Sequence, residues 1–121
     1  MEYGIVAFKK LNSEKLIWII IGDGELRKSL AHKIAENNLT DKVFLVGYMR
    51  DASRLLMAGD VFLLPFIKEG LPYVLLEAER AELPIVETSA GGIPEYFSQG
   101  TNIIIQPRSS DEIFFALQKM L

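Results

Sequence analysis

The sequence predicts an α/β fold, a Rossmann-like parallel sheet of about five strands with helices on both faces. Three observations carry this. Short apolar runs of strand length alternate with segments whose apolar residues recur every three to four positions. The runs are apolar throughout instead of at every second residue, the pattern of strands covered on both sides. Glycine, proline or asparagine stands at most of the junctions, where the chain must turn. Strict alternation of this kind calls for parallel strands joined by right-handed crossovers.

Taken in order, Glu2 to Leu11 places Ile5, Phe8 and Leu11 on one helical face, although Gly4 weakens a helix there. Leu16 to Ile21 is rich in β-branched and aromatic residues and reads as a buried strand closed by Gly22-Asp23-Gly24. Leu26, Leu30 and Ile34, with Ala31 and Ala35, make Glu25 to about Asn37 an amphipathic helix, and Asn37-Asn38 suits its end. Val43 to Val46 is a second buried strand stopped by Gly47. Asp51 is placed to cap a short helix carrying Leu55, Leu56 and Ala58. Asp60 to Pro65 is a third strand, and a helix follows Pro72 to about Ala81 with Val74, Leu75 and Ala78 inward. Pro84-Ile85-Val86 opens a fourth strand. Pro94 to Phe97 reads as a short helix, Asn102 to Gln106 as the last strand, and the final helix is capped by Asp111 or a nearby serine.

At 121 residues the chain is one domain able to bury a core. Its net charge of −3 offers no general basic surface for nucleic acid, which is excluded as a partner. There is no cysteine, hence no disulfide and no thiolate metal site. No apolar run is long enough for a transmembrane segment, and MEYGIVAFKK lacks the order of a signal peptide, so a soluble, cytoplasmic protein is the expectation.

Ligands in such folds bind at the carboxyl ends of the strands. That edge carries Gly22 and Gly24, Gly47-Tyr48-Met49, Glu69-Gly70 and Gly91-Gly92, where glycine lets a ligand approach the backbone. The loop from Glu69 through Gly70, Leu71 and Pro72 into the next helix leaves helix-start N–H groups facing the crevice, which favours an anion. Glu69 and Glu77 repel phosphate but accept hydrogen bonds from hydroxyls, so the pair suits a sugar or a ribose beside the phosphates. Solvated helix-end charge is the plainer reading of the same pair. His32 belongs to the solvent side of its helix beside Arg27 and Lys33, Trp18 to the core, and Lys9 and Lys10 to a solvated face.

In combination, IIGDGELRKSL, DKVFLVGYM, GDVFLLPFIKEGLPYVLLEAE and PIVETSAGGIPE resemble the C-terminal, donor-binding half of retaining glycosyltransferases of the GT-B fold, the group 1 family. The resemblance runs from about Tyr3 to the end. Its most specific part looks like the family's E-x7-E motif at Glu69 and Glu77, followed by the GG-x-PE element at Gly91, Gly92, Pro94 and Glu95. It implies one nucleotide-sugar-binding domain over residues 1–121, and transfer of a hexosyl group from a nucleotide-diphosphate sugar to an acceptor hydroxyl with retention. Glu69 would serve catalysis beside the donor sugar. Gly70, Leu71 and Pro72 would line the sugar and phosphates, Glu77 would take the ribose hydroxyls, and Tyr48 and Met49 would border the base. With no Asp-x-Asp motif, neither a metal nor another cofactor is expected.

The resemblance also implies absences. Family members place a strand before the first helix, in mid-sheet, and its loop supplies an Arg and a Lys that clamp the diphosphate. The domain is therefore expected to be truncated at its N-terminal side, inactive alone, and dependent on an N-terminal acceptor domain or partner chain. The unfilled gap either closes, is filled by another chain, or leaves an edge through which the chain forms a homo-oligomer. Two local departures stand out: Ala78-Glu79-Arg80-Ala81-Glu82-Leu83 replaces small residues and a glycine, and Glu87 replaces a small residue. The expectation for both is surface variation. A non-catalytic nucleotide-sugar-binding or assembly module is the alternative, and a related GT-B epimerase or glycogen-type synthase ranks lower because the histidines and extra basic residues those use are not seen.

Overall fold

The structure, a computed structural model, describes residues 1–65, 73–88 and 102–121. Helices and strands follow the expected order: α1 (Glu2–Leu11), β1 (Trp18–Ile21), α2 (Arg27–Glu36), β2 (Val43–Gly47), α3 (Ala52–Leu56), β3 (Phe62–Leu64), α4 (Tyr73–Arg80), β4 (Ile85–Thr88), β5 (Ile103–Ile105) and α5 (Ser110–Met120). The short helix expected at Pro94 to Phe97 lies outside the described residues.

Among the described residues all strand pairs are parallel, yet they form two ladders instead of one sheet. β1 pairs with β2, with Ile19 opposite Phe44 and a register slip that sets Ile21 opposite Gly47. In the other ladder β4 is central, and Glu87 stands between Leu64 of β3 and Ile104 of β5. The strands therefore do not close the gap.

Helix α1 joins the two halves. Ile5 and Phe8 pack with Ile20, Ile34, Leu39 and Val43, and the Phe8 ring centroid lies 5.8 Å from that of Trp18. Ala7 packs instead with Val86, Ile105, Ile113, Ala116 and Leu117, where α1 lies against α5. Gly4 is explained by the same contact: a Cβ there would come within 2.6 Å of the Trp18 ring. The residue that weakens the helix locally is the one that lets it seat on the strand.

The two ladders differ in cover. β4 is buried along its whole length, as a strand between two helix layers should be. The β1–β2 pair is covered by α1 and α2 on the side of Ile20 and Val43 only, while Ile17, Ile19, Phe44 and Val46 are exposed on the other. The expectation of strands buried on both faces fails here because no described element packs on that second face. Within α2, Leu30 and Ile34 face inward as expected, but Ala31 and Ala35 are exposed, and so is Leu26, which stands before the first helical turn.

The caps settle two open choices. Ser109, not Asp111, caps α5, its hydroxyl accepting from the Glu112 N–H at 3.2 Å. Asp51 makes no capping bond to α3 and pairs with Arg54 at 3.1 Å. After α4, Glu82 holds φ 59°, the left-handed conformation that glycine adopts without strain. Glu82→Gly is therefore expected to stabilise the chain by about 0.5–1 kcal/mol in urea unfolding, the relief of strain exceeding the added chain entropy. A loss of stability would show the strain to be negligible.

Candidate functional site

Because β1 and β2 are parallel, the loops that follow them share one edge. Gly22 has φ 125° and Gly47 φ 74°, conformations disfavoured for side-chain-bearing residues, and the Gly22 N–H donates to the Gly47 carbonyl at 2.8 Å. This bond ties the two loops into a single rim. The Asp23 carboxylate accepts from the Gly24 N–H at 2.8 Å, and a Cβ placed on Gly24 would meet nothing within 4 Å. Tyr48 is 80% exposed, and Met49 is also exposed. Four predicted residues, Gly22, Gly24, Tyr48 and Met49, thus form one open rim with accessible backbone and an aromatic side chain free to meet a flat ligand.

Arg27 is the residue that sequence reasoning missed. It is exposed, as expected on the solvent side of α2, and its guanidinium also reaches across the rim, donating to the Leu45 carbonyl at 3.3 Å and lying 4.0 Å from the Asp23 carboxylate. A Cβ on Gly47 would approach it to 3.0 Å. The i, i+4 spacing of Asp23 and Arg27 was the available signal.

On the other ladder, Glu77 is exposed on α4, while Leu75 and Ala78 of the same helix are fully buried against Leu64 and Ile85. Glu69, Gly70, Leu71, Pro72, Gly91 and Gly92 lie outside the described residues, as do Pro94 and Glu95.

Glu87 requires a correction. It is no surface variation: it is 1% exposed, and neither carboxylate oxygen has a hydrogen-bond partner among the described residues. Burial alone lifts its pKa from 4.5 to about 7. Its position at the end of an apolar strand gave no warning, since a charged residue there reads as the strand's exit into solvent.

The remaining residues behave as expected. His32 is exposed and pairs with Glu36 at 2.9 Å, Lys9 is exposed, Lys10 pairs with Asp111, and Trp18 belongs to the core cluster. A cavity of about 500 Å³ opens among Phe8, Leu16, Leu39 and Lys42, at the amino ends of β1 and β2 and so away from the rim. Among the described residues no three His, Cys, Asp or Glu side chains gather as metal ligands, and no helix is long and apolar enough to cross a membrane.

Residues 1–121 match the family model described as Glycosyl transferases group 1. The chain belongs to that family. Among relatives, the Vi polysaccharide biosynthesis protein VipC/TviE of Salmonella typhi is 34% identical over 85 residues, covering 70% of this chain and 15% of that protein. The amylovoran biosynthesis glycosyltransferase AmsK of Erwinia amylovora is 33% identical over 108 residues, covering 83% and 26%. The fold is that of GT-B glycosyltransferases. Anabaena Alr3699/HepE in complex with UDP matches 98% of this chain and 34% of its own, with a TM-score of 0.89 at 23% identity. WaaG, a glycosyltransferase involved in lipopolysaccharide biosynthesis, matches 98% and 33% with a TM-score of 0.85 at 24% identity. This group 1 chain thus spans about a quarter or less of those two relatives and about a third of the structures.

Proposed function

We propose that the chain is the donor-binding part of a retaining glycosyltransferase that moves a hexosyl group from a nucleotide-diphosphate sugar to an acceptor hydroxyl. The observation that carries this is the glycine-tied rim of a group 1 chain, open at Gly24, Tyr48 and Met49. Structures of HepE with UDP and with UDP-glucose support a nucleotide sugar as the ligand class. In this reading Tyr48 and Met49 border the base, the exposed carboxylate of Glu77 accepts from the ribose hydroxyls, and Glu69 stands by the donor sugar. Gly22, Gly24, Gly70, Leu71, Pro72, Gly91 and Gly92 give the ligand close access to the backbone.

Negative charge grows on the departing diphosphate, and what stabilises it governs the rate. The N-terminal end of α4 supplies N–H groups without intrahelical partners and a favourable dipole, and Arg27 supplies a cation already anchored on the rim. No divalent ion is needed in this scheme. The chain acts with a further segment that binds the acceptor and is inactive without it. The unjoined ladders favour such dependence, since among the described residues β1 and β3 each have a strand partner on one side only. They equally suit the second reading, a binding or assembly module.

Calorimetric titration with UDP and GDP, with and without EDTA, tests the proposal. One nucleotide should bind, EDTA should leave the affinity unchanged, and Glu77→Ala should weaken it roughly tenfold to a hundredfold through loss of bonds to a charged acceptor. Binding unaffected by the substitution would remove Glu77 from the site, and the absence of any nucleotide binding by folded chain would remove the function.

A further inference from the structure

An unpartnered carboxyl inside a sheet has a cost that none of the described residues offsets with a hydrogen bond. Glu87 occupies the centre of the three-stranded ladder, one residue short of the carboxyl end of β4. Alternation along β4 sets it on the same side as Ile85, which packs with Leu64, Leu75 and Ala78. Leu64 is its neighbour across the ladder, and Leu75 is in the first turn of α4. The carboxyl therefore lies on the α4 side of the sheet, two residues nearer the ligand edge than Ile85, beside a helix start whose first N–H groups lack intrahelical partners. A helix start and a buried orphan carboxyl at one edge are two separate features that an anionic ligand would satisfy together.

We infer that Glu87 is a further donor-binding residue, whose carboxyl gives its O–H to an oxygen of the diphosphate when the nucleotide sugar binds. This rests on the nucleotide-sugar reading above and assigns one more contact to it. A neutral carboxylic acid is a hydrogen-bond donor, whereas a carboxylate beside a diphosphate is repelled. Desolvation keeps the acid form populated near neutral pH, and the charge of the ligand raises that population further. The proton comes from solvent, so binding above pH 7 is accompanied by proton uptake.

No other group among the described residues complicates this. On the face that Glu87 shares, β3 presents Phe62 and Leu64, α4 presents Leu75, Leu76 and Ala78, and β5 places Ile104 beside it, none of which titrates. The charged residues of α4, Glu77, Glu79 and Arg80, are exposed.

The test is calorimetric titration of the chain with UDP-glucose, whose diphosphate is esterified at both ends and does not itself titrate near neutrality. Titrations at pH 7.5 in buffers of different ionisation enthalpy measure protons exchanged. The expected result is uptake of roughly three-quarters of a proton per site, with affinity falling up to about tenfold per pH unit above pH 7. Glu87→Gln, which keeps the shape and a donor, should bind with no uptake and a flat pH profile. Glu87→Leu should bind more weakly at pH 6 and also show no uptake. Proton release would mean a carboxylate accepting from a hydroxyl and would overturn the inference, as would equal uptake in wild type and Glu87→Gln. Binding with no proton linkage in the wild type overturns it too, while leaving the nucleotide-sugar reading intact. Failure of all three folded proteins to bind UDP-glucose, UDP or GDP overturns both.

Discussion

Between about pH 5 and pH 8 the chain is expected to lose about 2–3 kcal/mol of unfolding free energy through Glu87 alone. The sign follows from the two states. In the unfolded chain the carboxyl titrates at its ordinary 4.5, and in the folded protein burial holds it at about 7. Between those values the folded state binds the extra proton, so stability is fully present below the unfolded pKa and declines as pH rises through the folded one. The size is a ceiling, since water entering the site would lessen it, but it is a large part of the 5–15 kcal/mol typical of a domain. Urea unfolding at several pH values measures it. Glu87→Gln removes the slope because an amide does not titrate, and it should leave the variant more stable than the wild type at pH 8. A wild-type slope that persists in Glu87→Gln would assign it to another group.

Ile5→Ala is expected to cost about 2–5 kcal/mol at any pH. Ile5 is fully buried in the core shared by α1, β1, α2 and β2. Truncation removes transfer energy and leaves a cavity that a helix held on two sides cannot collapse around. The effect should also spread. Since α1 is packed against α5 as well as β1, amide exchange should quicken in β4 and β5, not only in β1 and β2. Quickening confined to the β1–β2 half would mean that the two cores are energetically independent.

Much of this fold was legible because strand and helix periods differ so plainly. Leu75 and Ala78 at helical spacing, and Ile85 and Val86 after a proline, could be assigned from pattern alone. What pattern could not give was partnership. Whether Ile19 and Phe44 are buried depends on which element lies over them, and their sequence neighbours say nothing of that. Glu87 escaped for a related reason: Glu is usually exposed, and nothing in the sequence marks its strand as the central one of a ladder. At the site, glycine positions at strand ends were enough to bring Gly22, Gly24, Tyr48 and Met49 together, because parallel pairing forces those ends onto one edge. Arg27 escaped because a long side chain can leave the face on which its Cα sits.

The packing of α1 on α5 joins two helices far apart in sequence, and Lys10 pairs with Asp111 across 101 residues of chain. During synthesis this imposes an order. The core around Ile5, Phe8, Ile20, Ile34 and Val43 draws only on the first part of the chain and can condense while the rest is still being made. The core around Ala7, Val86 and Ile113 cannot, because one of its walls follows Ala7 only about a hundred residues later in the chain. Until α5 arrives, the flank of α1 that carries Ala7 stays open to solvent, and closing so long a loop makes this the slow step. Over that interval α1 has one flank packed and the other open, an apolar surface for a chaperone to hold.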